Sequence, residues 1–195
     1  MVRFNPELTG GPWSAVHRTS RQAAERIRRF GFSTALLGTG AGLGYLEEPG
    51  GVFVSRHPGK DFAAEVEERG LPLTEVLKVR IKKGTIWQPT EIERIAKSRE
   101  LMRKFVRRRY GVDAVGAEAI ITGRAAMLRH LGLIGDWKDW THSLKTEAAW
   151  KLYYAQQLRK EGYVAVEWTE PLFGVDQTVV LDPRALTVLN NPAGG

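Results

Sequence analysis

The sequence predicts an α+β fold: a split antiparallel β-sheet core with an inserted three-helix block. Three observations predict it. Short apolar runs of strand character fall at 14–17, 52–55 and 76–81, and again at 163–168, 178–182 and 185–189. The stretch from about 90 to 160 reads instead as helix. Strands and helices therefore segregate along the chain, which argues for α+β over an alternating α/β arrangement. The chain has 195 residues and 43% hydrophobic content, so it is read as one domain, 1–195, with the helical insertion at about 90–160.

The elements follow in order. Residues 1–13 read as an irregular lead-in, with Gly10, Gly11 and Pro12 as breakers. SAVH is a short strand ending at His17. Thr19 and Gln22 form a capping box for a helix in which Ala23, Ile27 and Phe30 recur at helical spacing, and Gly31 ends it. The glycine-rich stretch 38–51 reads as a flexible loop. It follows a helix and leads into a strand, which is the wrong order for a dinucleotide fingerprint, and it lacks the Gly-Lys-Ser/Thr of a P-loop. GVFVS gives a strand at 52–55, FAAEVEERG a short helix at 62–70, and VLKVRI a strand at 76–81. Pro89 and a Thr90–Glu93 capping box open a long helix that ends near Gly111. Further helices are expected from about Asp113 to Leu131 and from about Trp137 to Lys160. In the closing hairpin, Glu167, Glu170, Asp176 and Gln177 crowd the expected connection, where a turn needs only turn residues.

Composition narrows the chemistry. There are no cysteines, so disulfides, zinc-thiolate sites and cysteine nucleophiles are excluded. No apolar run approaches the roughly 20 residues of a membrane helix, and MVRFNPELTGGPW lacks a signal-type apolar core. A cytoplasmic protein without membrane association is expected. Net charge is +7, concentrated between Lys97 and Arg109, where seven basic residues face one acid, Glu100. Such a run is either a solvated helix face or a polyanion-binding surface, the latter carried by Arg103, Lys104, Arg107, Arg108 and Arg109.

Most catalytic constellations fail. No serine sits in a nucleophile elbow, and no metal motif is present. Glu167 and Glu170 are too close in sequence to flank a sugar as a glycosidase pair. His130 and His142 read as packing or surface residues, and His57, in RHPG, as a turn residue. His17 differs, because it ends a buried strand just before a helix N-terminus, where polar and anionic groups bind well.

VHRTS, a helix ending in GF, a glycine-rich loop, GVFVS, and a late GYVAVEW…DQTVVLDPRAL together resemble the ADP-ribosyltransferase fold, in the diphtheria-toxin and poly(ADP-ribose) polymerase branch with its small phage and bacterial members. The likeness covers about half the chain, at both ends, and VLKVRIKKGTIWQP is similar to the branch's middle strand. The resemblance implies NAD as a substrate, no metal, and transfer of ADP-ribose to a protein or nucleoprotein target. It implies a location in a host cytoplasm or a virion if the chain is phage-encoded. His17 matches the ribose-binding histidine and Thr19 the small hydroxyl residue, while Arg18 stands where glycine is usual. Tyr45 is placed near the adenosine half, and Phe53 and Phe62 at the nicotinamide wall. Gln177 falls on the position of the catalytic glutamate, keeping its hydrogen bonds but losing its charge. The carboxylate would then come from Glu170, or from Glu167 or Asp176. Two other readings stay open: a catalytically inactive version serving as a structural or interaction module, and a basic nucleic-acid-binding module led by helix 97–109.

Overall fold

Alternation of side chains decides where the sheets form. In Glu75–Ile81, strand β4 below, Leu77, Val79 and Ile81 are buried while Lys78 and Arg80 are exposed, the period of two that a half-buried strand requires. The computed structural model describes residues 7–33, 48–57, 70, 73–122, 144–170 and 175–189. The chain divides into two compact units. One comprises Met1–Leu36, Gly51–Thr90 and Leu158–Gly195; the other comprises Leu37–Gly50 and Glu91–Gln157.

The first unit holds eight described strands: β1 (Glu7–Gly10), β2 (Trp13–Thr19), β3 (Val52–Val54), β4 (Glu75–Ile81), β5 (Gly84–Trp87), β6 (Tyr163–Glu170), β7 (Val175–Val180) and β8 (Leu186–Val188). They form a five-stranded sheet, order β1-β5-β6-β7-β3, and a three-stranded sheet, order β2-β4-β8. The architecture is mixed α+β. The expectation of an antiparallel core needs one correction: β5 and β6 run parallel, while every other ladder is antiparallel. A parallel pair requires a long crossover, and the chain from Gln88 to Gly162 supplies it.

The two sheets meet at one bridge, where the Val16 N–H donates to the Ser55 carbonyl and the Ser55 N–H to the Val16 carbonyl, each at 2.8 Å. One apolar cluster lies behind them: Ala15 from β2, Val54 from β3, Leu77, Val79 and Ile81 from β4, Ile86, Ala165 and Val180 from the larger sheet. Helix α1 (Arg21–Phe30) adds Ala24, with Ile27 packed alongside. The cap of α1 is Ser20 rather than Thr19. Ser20 accepts from the Ala23 N–H at 3.3 Å, because Thr19 is already committed to the ladder opposite Glu75. Gly31, at φ 77°, ends α1 and donates to the Ile27 carbonyl.

Two strands were hidden in the sequence. Residues 7–10 belong to the expected irregular lead-in but pair with β5, itself an unanticipated strand. Side chains fix this edge: the Tyr163 hydroxyl donates to Glu7 at 2.8 Å across β5, and Trp87 stacks on Tyr163 at 6.0 Å. Burial, then the Glu7 carboxylate, push the Tyr163 phenol up to about 12. The closing hairpin is also longer than expected. β7 begins at Val175, so Asp176 and Gln177 are strand residues opposite Thr169 and Trp168.

The second unit contains α2 (Glu91–Tyr110), α3 (Ala114–Ile121) and most of α4 (Leu144–Lys160). Leu101, Met102, Phe105 and Val106 form the buried stripe of α2. Phe105 meets Trp150 of α4 at 5.7 Å, and Trp150 stacks on Tyr154 at 5.3 Å. Asp113 caps α3 by accepting from the Gly116 N–H at 2.8 Å. The expected extension of the middle helix to Leu131, the start of the last helix at Trp137, and the helix at 62–70 lie outside the described residues, apart from Gly70. No helix among the described residues is long and apolar enough to cross a membrane.

Gly51 marks a close approach. A Cβ there would lie 2.5 Å from both the Val179 side chain and the Val180 carbonyl oxygen, and the latter is backbone that cannot step aside. Gly51→Ala is expected to cost about 2 kcal/mol. That corresponds to a melting temperature lower by about 4–8 °C in a thermal scan.

Candidate functional site

His17 and Phe53 lie where the two sheets adjoin. β2 carries His17 on the same side as Ala15, and the ladder places it opposite Leu77. Its Nδ1 lies 2.8 Å from the Phe53 carbonyl. A carbonyl only accepts, so Nδ1 carries the proton, and Nε2 of the neutral ring is an acceptor. Phe32 meets the ring edge-on at 5.1 Å. Burial pushes the His17 pKa below its ordinary 6.5, outweighing the opposing hydrogen bond to Phe53. The imidazole is thus neutral near pH 7, fixed in tautomer, and able to accept from a hydroxyl.

Strand register sorts the other candidates by face. Glu167, Thr178, Val54 and Val180 share the face of the larger sheet that carries the apolar cluster. Gln177, Trp168, Val179 and Phe53 share the other. β3 thus serves both sides, its Phe53 carbonyl holding His17 and its Phe53 ring on the face of Gln177. Gln177 is 6% exposed, and its amide makes no hydrogen bond with any described residue. No hydrogen bond or ring contact among the described residues joins His17 directly to Gln177.

Glu167 is the residue with the most built surroundings. Arg56 Nη1 donates to both its oxygens, at 2.9 and 3.0 Å. Gln88 Nε2 donates at 2.7 Å and Thr178 Oγ1 at 2.8 Å. Both charged side chains are largely buried, 13% exposed for Arg56 and 8% for Glu167. The guanidinium also lies over Trp13, 5.7 Å from the ring centre. Glu167 therefore acts as an internal counter-ion, and its carboxylate is spoken for. Asp176 accepts from Thr169 at 2.8 Å and has His57 Nε2 3.9 Å away.

Thr19 is buried and Arg18 pairs opposite Val76, which is exposed. Glu170 ends β6, and its side chain is not among those described; Tyr45 and Phe62 lie outside the described residues. Arg103, Lys104, Arg107, Arg108 and Arg109 occupy the last turns of α2 in the second unit. Arg56, Gln88 and Thr178 were missed by sequence reading. One signal pointed to them: Glu167 interrupts the apolar run Tyr163–Trp168, and a carboxylate buried there needs a cation or other donors from elsewhere in the chain. Among the described residues no group of three His, Asp or Glu could hold a metal ion.

Two outcomes are expected. Arg56→Met strands the Glu167 carboxylate and should cost about 3 kcal/mol in urea unfolding, whereas Arg56→Met combined with Glu167→Leu should cost clearly less. For His17, the unfolded chain takes up a proton near pH 6.5 and the folded chain only at lower pH. Its contribution is therefore complete above about pH 6.5 and is lost as pH falls through the folded value. Urea unfolding across that window should show this acid-side loss, and His17→Asn should flatten it. No protein-family model matches this chain, and no curated protein or solved structure was found that is similar to it.

Proposed function

We propose that the protein is an NAD-binding, ADP-ribosyltransferase-like protein that transfers ADP-ribose to a macromolecular target. One observation carries the reading most directly. Gln177, at the sequence position where the resemblance puts the catalytic glutamate, is a strand residue only 6% exposed whose side-chain amide is not engaged by any described residue. A side-chain amide offers a ligand two N–H donors and one oxygen acceptor. A ribose hydroxyl is a ligand group of the right kind.

His17 supports the same reading from the other end of the chain. Its Nε2 is an acceptor suited to a ribose hydroxyl, held by the Phe53 carbonyl without competition from protonation near neutral pH. The mixed α+β arrangement of two sheets joined at β2 and β3 is compatible with a split-sheet transferase core, and the two compact units with one such domain carrying a helical insertion.

In this reading the nicotinamide–ribose bond breaks through an oxocarbenium-like state, and a target nucleophile takes the ADP-ribose as nicotinamide leaves. His17 accepts from a ribose hydroxyl in this reading, and Gln177, on the face of the Phe53 ring, acts from the other side of β3. A carboxylate beside the developing positive charge would favour the transition state over the ground state. Glu167 is committed to Arg56 and Asp176 shares its face of the sheet and not that of Gln177, so this reading leaves Glu170 to supply that charge.

A specific observation favours a second reading, in which the fold binds NAD or a partner without turnover. The residue at the glutamate position is an amide, and the Glu167 carboxylate on the neighbouring strand is neutralised by a buried arginine. Labelled NAD with a lysate, run beside a thermal scan with NAD, separates the two. An active enzyme gives both a labelled target and a raised melting temperature; a binding-only protein gives the second alone. Stabilisation follows RT ln(1 + [L]/Kd), and His17→Ala should abolish it. If turnover is present, Gln177→Glu should raise NAD cleavage by about a hundredfold, the size expected for one electrostatic contact at the reacting centre. Neither stabilisation nor cleavage would end the proposal.

A further inference from the structure

We propose that the C-terminal turns of α2 form a docking groove for duplex nucleic acid, gripping the phosphate backbone without reading bases. Lys104, Arg107, Arg108 and Gly111 recur at i, i+3, i+4 and i+7, which places them on one face of the helix and its cap. With Val112 they line an open groove of about 420 Å³.

Basic residues in a last helical turn also satisfy the carbonyl ends of the helix, so their presence alone proves little. Pairing distinguishes them. Arg103 is held by Glu118 at 2.6 Å and Lys104 by Glu100 at 2.5 Å. Arg107 and Arg108 are exposed, and neither guanidinium forms an ion pair or hydrogen bond with any described residue. An exposed pair such as Lys104–Glu100 is worth little, so Lys104 can exchange its partner for a phosphate. Two unopposed guanidinium groups and one exchangeable ammonium therefore converge on one groove.

The lining selects the kind of polyanion. Gly111, at φ 66°, presents no side chain, so a backbone can approach closely. No aromatic residue is among the described residues that line the groove, and single-strand binders rely on aromatic stacking of bases. Residues 104 to 108 span about 6 Å at 1.5 Å per residue. That matches about two steps of one duplex strand, each about 3.4 Å along the axis, and so about three phosphates. Arginine forks bind phosphate oxygens bidentately.

The test is fluorescence anisotropy of the full-length protein with a labelled duplex DNA of arbitrary sequence. About three phosphate contacts predict a log–log salt slope near −2.7, or roughly fortyfold weaker binding between about 50 and about 200 mM salt. Lys104→Gln/Arg107→Gln/Arg108→Gln should abolish most of that slope and weaken binding at least about tenfold. Arg107→Lys, which keeps the charge, should retain most binding. Lys78→Gln/Arg80→Gln/Lys82→Gln removes equal charge from the exposed row on β4 and its end, and should change little. Equal losses in both triple variants would overturn the groove assignment. Tighter binding to single strands, to poly-glutamate or to anionic vesicles would overturn the assignment to a duplex. The readout contains no NAD, so its failure and the failure of the transferase reading are separable.

Discussion

The buried carboxylate of Glu167 is the constraint around which the larger sheet is organised. Taking a charge out of water is costly, and four hydrogen bonds from three side chains offset that cost. Those donors come from the end of β3, the end of β5 and the neighbouring β7, so one carboxylate fixes three positions of the chain relative to β6. It also fixes register. A slip of one residue in β6 would swing Glu167 to the opposite face and leave Arg56 buried without an acid. Apolar residues could fill the same space but would penalise a slip far less.

How much of this was legible depended on how local the cause was. β4 could be read because its alternation lies in its own residues. The ends of α1 and α2 could be read because Gly31 and Gly111 take up positive φ values. β1 and β5 could not. Each is four residues long and includes glycine, and each exists because the other, or β6, pairs with it. The cap of α1 was misplaced by one residue because Thr19 and Ser20 offer the same hydroxyl, and only the ladder to Glu75 decides between them. At the candidate site, His17 stood out as a polar end to an apolar strand. Arg56 did not, because its partner lies 111 residues away.

The seam between the sheets ties structure to the proposed chemistry. Backbone bonds between Val16 and Ser55 set the spacing of β2 and β3, and the His17 ring spans the same junction to the Phe53 carbonyl. An imidazole anchored this way offers one acceptor in one direction, so little orientational freedom remains to be lost when a hydroxyl arrives. The neutral tautomer is thus a product of the sheet geometry rather than of a dedicated second residue.

The parallel pairing of β5 with β6 dictates an order of assembly. β6 sits at the centre of the larger sheet, yet it is made only after the whole crossover from Gln88 to Gly162. On an emerging chain, β1 and β5 can zip together while the far edge of β5 waits open for a neighbour still to be synthesised. Closing so distant a contact is slow, and an uncovered strand edge invites foreign chains. The hazard during biosynthesis therefore sits on β5, and a chain truncated before Tyr163 would carry it permanently.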